Sequence, residues 1–272
     1  MAANGILTRL AIVNGYADVF TFSFLRLTSG LTGFGLVIWF LQGQKTGVWS
    51  CGGDWRSALA LFGCVFFFTA ACAWTDIGPG VLVMFAVVQI TLLSAAALGG
   101  ESLAKGQLLG LLVAAAGLIY LSAPGQTAPS LEGVVLMAFA GLSWGLYSLF
   151  GRADSAGHVR RSAGNSIRTL PGALLLLPLA AGEPFPSPAG IACAITCGTI
   201  MTGYGYSLWY VTQKNLTGCQ ASLVQLMVPV LAAIGGVLFL NEPITLRLLI
   251  ATALVVGGVS ICLSLRKSDE RL

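Results

Sequence analysis

Few side chains in this chain can do chemistry, and those that can are scattered through apolar sequence. The sole histidine, His158, lies in the basic stretch 151–162, where solvation is its ordinary role. The chain holds no His-Glu-x-x-His pair, no phosphate-binding glycine loop and no two carboxylates at helical spacing. No catalytic residue, metal or cofactor is therefore assigned, and an enzyme is not the expected class. Cys193 and Cys197 stand one helical turn apart, but no histidine or second cysteine pair joins them. They read as small buried hydrophobes rather than as ligands.

Polar and aromatic groups inside apolar runs are the better candidates, because lipid gives them no partners. Gln89 falls near the middle of its run, and Gln225 falls one turn earlier in the corresponding run. Both could hydrogen-bond a zwitterionic solute, or simply join helices. Trp144 and Ser148 are one turn apart with Tyr147 beside them, and Tyr204, Tyr206 and Tyr210 share a later run. Aromatic walls with a few polar tips suit a small amphipathic ligand, so Trp144, Tyr147, Ser148 and Tyr204 are substrate-pathway candidates with the two glutamines. Tyr210 reads as an interface anchor. Arg26 and Arg168, each about a third of the way into a run, could gate a path or hold a carboxylate. Snorkelling to the headgroups is their alternative role. Glu101 and Glu242 mark helix junctions, where each would favour the N-terminus of the helix that follows. Proton coupling is a second role for them.

Such groups need a bilayer-spanning bundle to position them. Of 272 residues, 56% are hydrophobic and 9% charged, with mean hydropathy +0.87. Soluble domains carry about 25% charged residues, so a cytoplasmic enzyme, a nucleic-acid binder and a disordered chain are excluded. Apolar runs lie at 20–41, 57–75, 80–99, 106–123, 131–150, 163–182, 189–212, 217–240 and 245–265, separated by glycine- and proline-rich breaks. The stretch Asn4–Val13, which contains Arg9, is a short candidate for a tenth. With the C-terminus placed inside, ten of the 14 Lys and Arg residues fall in inside segments and one outside, with three in the runs. That asymmetry predicts a multi-pass inner-membrane protein with a cytoplasmic C-terminus.

The second half echoes the first at a shift of about 140 residues. Arg26 and Gly30 match Arg168 and Gly172; Gly100–Glu101 matches Asn241–Glu242. Gly117 and Gly258 each follow their glutamate by sixteen residues, and Asn4–Gly5 matches Trp144–Gly145. A five-helix unit crosses an odd number of times, so its copy must be inverted, the arrangement of transporters with a midplane path.

DVFTFSFLRLTSG at 18–30, GGESLAKGQLLGLLVAAAGLIYL at 99–121, GLSWGLYSLFGR at 141–152 and LNEPITLRLLIATALVVGGV at 240–259 resemble the EamA-type branch of the drug/metabolite transporter superfamily. The resemblance implies an all-α polytopic fold of ten helices in two inverted five-helix repeats. It also implies cytoplasmic termini and export or exchange of amino-acid-like metabolites. The expected division is a first repeat over 1–123, a linker at 124–130, a second repeat over 131–266 and a tail at 267–272. Partners expected are a small-molecule metabolite and the lipid bilayer, with protons a candidate coupling ion, a homodimer a candidate assembly, and no nucleic acid. Two features depart from the family pattern. Pro229 is mirrored by Gln89 rather than by a proline, and residues 131–143 have no counterpart before Met1. The first helix is thus expected to be short by about thirteen residues, a count that the repeat comparison sets. A non-transporting or truncated relative, and less favourably a membrane-embedded enzyme, are the alternative readings.

Overall fold

The computed structural model describes residues 2–42, 52–99, 105–123, 129–151, 158–208 and 218–269. Those residues form helices joined by short turns, with no strand among them. Helix α1 is Ala2–Val13, α2 Val19–Gln42, α3 Trp55–Ala71, α4 Ile77–Leu98, α5 Lys105–Ser122 and α6 Leu131–Gly151. Then follow α7 (His158–Arg168), α8 (Leu170–Leu174), a single 3₁₀ turn (Pro178–Ala180), α9 (Pro188–Thr196) and a π-helix (Cys197–Tyr204). The last two are α10 (Gly218–Leu240) and α11 (Leu246–Asp269). The short Asn4–Val13 candidate is therefore a helix, and α11 runs helically into the expected tail. Glu101, Tyr210 and most of the 124–130 linker lie outside the described residues.

Local chemistry explains where the helices depart from the apolar runs. The expected single run 163–182 is divided, because Pro171 and Pro178 each lack an N–H and crowd the preceding turn. The chain restarts with each proline in the first turn of a new short element. Ile77–Gly80 reads as a breaker but is the first turn of α4, where the missing N–H of Pro79 costs nothing. The expected run 189–212 starts at Pro188, behind a Ser187 N-cap, and widens into the π-helix. There Thr202 Oγ1 donates to Cys197 O, five residues back, at 2.9 Å.

Close backbone approach accounts for that widened segment. Gly33 of α2 lies against Gly203 of the π-helix, and a Cβ on Gly203 would meet the Gly33 carbonyl carbon at 2.7 Å. The most extensive packing joins α5 to α11, and glycines at matched positions make it possible. A Cβ on Gly117 would meet Leu254 Cβ at 2.7 Å, and one on Gly258 would meet the Ala114 N at 2.6 Å. Small residues at such crossings are how helices associate in lipid, where no hydrophobic force drives them together.

The outward face of the bundle is apolar: Phe40 is 76% exposed, Leu98 90% and Leu238 69%. Water would penalise so much exposed apolar area, whereas acyl chains do not. The protein is an all-α polytopic membrane protein. Gly203→Val should separate α2 from the π-helix and cost about 3 kcal/mol, the scale of overpacking. The mutant's melting temperature in detergent should fall by several degrees. Gly257→Ala, which meets nothing within 4 Å, should leave it unchanged or slightly higher.

Candidate functional site

A small cavity of about 40 Å³ opens between the helices. Asn4 of α1, Arg26 of α2, Cys64 and Phe68 of α3, and Val81, Met84 and Phe85 of α4 form one part of its wall. Trp144 of α6, Tyr206 just beyond the π-helix and Val228 of α10 complete it. Trp144 is 5.1 Å from the Tyr206 ring and 5.6 Å from that of Tyr147, centroid to centroid. The wall is thus aromatic and apolar, with three polar tips from Asn4, Arg26 and Tyr206.

The sequence candidates divide between this cavity and other places. Trp144 and Arg26 reach it. Tyr147 is buried behind Trp144, and its hydroxyl donates to Ser162 Oγ at 3.2 Å. Ser148 turns back on its own helix, donating to Trp144 O at 2.8 Å. Tyr204 is 56% exposed and faces away from the cavity. Gln89 is half-buried but no part of the wall, and the side chain of Gln225 lies outside the described residues. Arg168 ends α7 and donates to Gly52 O and Gly164 O, so it binds a loop rather than the cavity. Tyr206, grouped by spacing with Tyr210 but not taken as a pathway candidate, lines the wall, as do Asn4 and Phe68, which spacing did not single out. For Asn4 one signal existed: it occupies the position that the repeat equates with Trp144.

Arg26 is only 4% exposed. Its Nε and Nη1 are buried with no acceptor among the described residues, and its Cζ lies 5.7 Å from the centre of the Phe68 ring.

Ion pairs sit instead at the two ends of α3, about 25 Å apart by helical rise. Beyond its C-terminal end, Arg9 donates to Asp76 Oδ1 at 2.8 Å, to Glu242 Oε1 at 3.3 Å and to the Cys72 carbonyl. Glu242 also accepts from Ile77 N at 2.9 Å, so it caps α4 rather than α11, the helix that follows it. Thr245 is the group that caps α11. Asn241 holds a left-handed backbone, φ 54°, that turns the glutamate back toward α4. Burial raises the proton affinity of Glu242 above the ordinary carboxylate range, and its bonds from Ile77 and Arg9 only partly offset this.

At the N-terminal end of α3, Asp54 accepts from Ser57 N and Ser57 Oγ, and Arg161 Nη2 donates to its Oδ2 at 2.8 Å. Asn165 Oδ1 accepts from Asp54 N at 3.0 Å. Partial burial pushes the Asp54 carboxyl up, but its bonds from Ser57 and Arg161 outweigh that and hold it below its ordinary value of 3.8.

Comparison with known proteins agrees with this architecture. Residues 131–264 match the EamA-like transporter family. An uncharacterized protein of Pseudomonas aeruginosa is 41% identical over 265 residues, 97% of this chain and 91% of its own length. The threonine/homoserine exporter RhtA of Escherichia coli is 31% identical over 58% of this chain and 55% of its own. A solved crystal structure superposes with a TM-score of 0.64 at 22% identity, covering 97% of this chain and 96% of that one. It supports the fold alone.

The depressed Asp54 carboxyl makes the tie to α7 sensitive to acid. Its folded value lies below its unfolded one, so its stabilisation is complete above about pH 4 and fades as pH falls through the folded value. Between pH 5 and pH 3 the wild-type melting temperature should fall more steeply than that of Asp54→Asn, followed by tryptophan fluorescence. Equal slopes would remove the tie as a source of stability.

Proposed function

The chain belongs to the EamA-like transporter family, and on that footing we propose that it exports or exchanges a small, amino-acid-like organic metabolite by alternating access. As a family member it is a multi-pass membrane transporter and not an enzyme. The observation that carries the finer reading is a cavity walled by both halves of the chain, with one ion pair between those halves at each end of α3, Arg9–Glu242 and Arg161–Asp54.

The two halves are taken as 1–123 and 131–266. Their packing supports an inverted relation: α4 packs on α10 and α5 on α11, pairs that a two-fold operation maps onto themselves. The pair α4–α6 is matched by α10–α1, and α3–α6 by α1 with α9 and the π-helix. Asn4 and Trp144, equated by the 140-residue shift, both line the cavity.

Alternating access requires each end to open while the other stays shut. Arg9 with Asp76 and Glu242 would close the end that the charge asymmetry assigns to the outside. Asp54 with Arg161, and Arg168 on Gly52 O, would close the cytoplasmic end where α7 meets α3. Glu242 is the candidate for proton coupling, since protonation would weaken its hold on Arg9. RhtA, by its name, exports threonine and homoserine, which supports a compact, carboxylate-bearing solute.

The full chain reconstituted into vesicles, preloaded with labelled small metabolites, should release at least one faster than empty vesicles do. Trp144→Ala should slow that release about tenfold, the scale of one lost aromatic contact. Glu242→Gln should slow release and reduce any dependence on the proton gradient. A broad panel of solutes that all leak at the empty-vesicle rate from vesicles with folded protein would overturn the transporter mechanism.

A further inference from the structure

A buried cation with no anion beside it among the described residues is the least explained feature of the cavity. An unpaired guanidinium charge in a low-dielectric interior is costly. Arg9 and Arg161 are paired with carboxylates, and Arg168 and Arg247 with backbone carbonyls. Arg26 alone among these five faces the cavity, with Nε and Nη1 unmatched among the described residues and the Phe68 ring 5.7 Å from its Cζ. No Asp or Glu contributes to the cavity wall among the described residues. Asn4 Oδ1, on a residue 6% exposed, is also buried without a donor.

We propose that the cavity selects solutes with a net charge of −1: a carboxylate held by Arg26, with no compensating ammonium. This rests on the transporter reading and narrows its substrate class. The carboxylate would supply the acceptors that the guanidinium lacks, in the geometry that suits arginine best. The apolar body of the solute would lie against Phe68, Trp144 and Tyr206. Asn4 Oδ1 marks a place for a neutral donor, such as a hydroxyl or an amide N–H. A zwitterion would neutralise Arg26 but bring an ammonium group into a wall with no carboxylate to receive it. Hydroxy acids and N-acylated amino acids therefore fit better than the free amino acids of the same size.

The test uses a matched series on the purified full chain in detergent: leucine, N-acetylleucine, 2-hydroxy-4-methylpentanoate and leucinamide. Binding is read by calorimetry, and uptake of each labelled compound is followed in reconstituted vesicles. The two anions should bind at least tenfold more tightly than leucine, and leucinamide not at all. Arg26→Gln should abolish the difference between anion and zwitterion. Arg26→Lys, which keeps the charge but not the fork, should retain the preference at lower affinity and guards against a Gln variant that fails to fold. Leucine binding as well as or better than the anions would overturn the proposal, as would an unchanged ratio in folded Arg26→Gln. If none of the four binds while other metabolites are transported, the charge selection is wrong and the transporter reading stands. If nothing in a broad panel is transported by folded protein, the transporter reading itself fails, and this proposal fails with it.

Discussion

Arg9 joins chain segments that lie as far as 233 residues apart. Its guanidinium takes a carboxylate from the α3–α4 turn, another from the α10–α11 turn and the carbonyl that ends α3. Arg9 and Glu242 are largely buried, and a buried charge without a partner is costly, so pairing them is a condition for placing α1 among the other helices. The same carboxylate of Glu242 supplies the first-turn acceptor that α4 lacks. One cluster thus sets the position of α1, the start of α4 and the approach of α10 and α11. Asn4 of α1, Val81, Met84 and Phe85 of α4 and Val228 of α10 bring part of the cavity wall with them.

Asp54 and Arg161 do the corresponding work at the other end of α3, and Cys64 and Phe68 line the cavity between the two clusters. Charge is paired at both ends of that helix, whereas Arg26 of the neighbouring α2 has Nε and Nη1 unmatched among the described residues. Each end cluster joins residues before 123 to residues after 131, so on the proposed mechanism opening one end would break the tie at that end.

Much of the fold was legible in the residue pattern because lipid imposes a simple rule. Each apolar run of about 20 residues must satisfy its own backbone, and a helix does so. Thus α2, α6 and α10 lie within a residue or two of the runs that announce them. The rule failed where proline and close packing intervened. Pro171 and Pro178 divide one run, and the contact of Gly33 with Gly203 accompanies a π-helix in another. The cavity was legible only in part: Trp144 and Arg26 reach it, whereas Tyr204 turns outward and Arg168 binds a loop. Helical spacing says which residues share a face, but not which face meets a neighbour.

The amino-acid sequence by itself determined that the chain is helical and membrane-embedded, because composition and run length answer directly to the solvent. It also carried the matched arginine–glycine and glutamate–glycine spacings, which are properties of order along the chain. Tertiary structure alone decided that Arg9 pairs with Glu242, that Glu242 caps α4 instead of the next helix, and that Arg26 is left facing the cavity without an anion. Those outcomes depend on which helix faces meet across some two hundred residues, and on a dielectric that only packing creates.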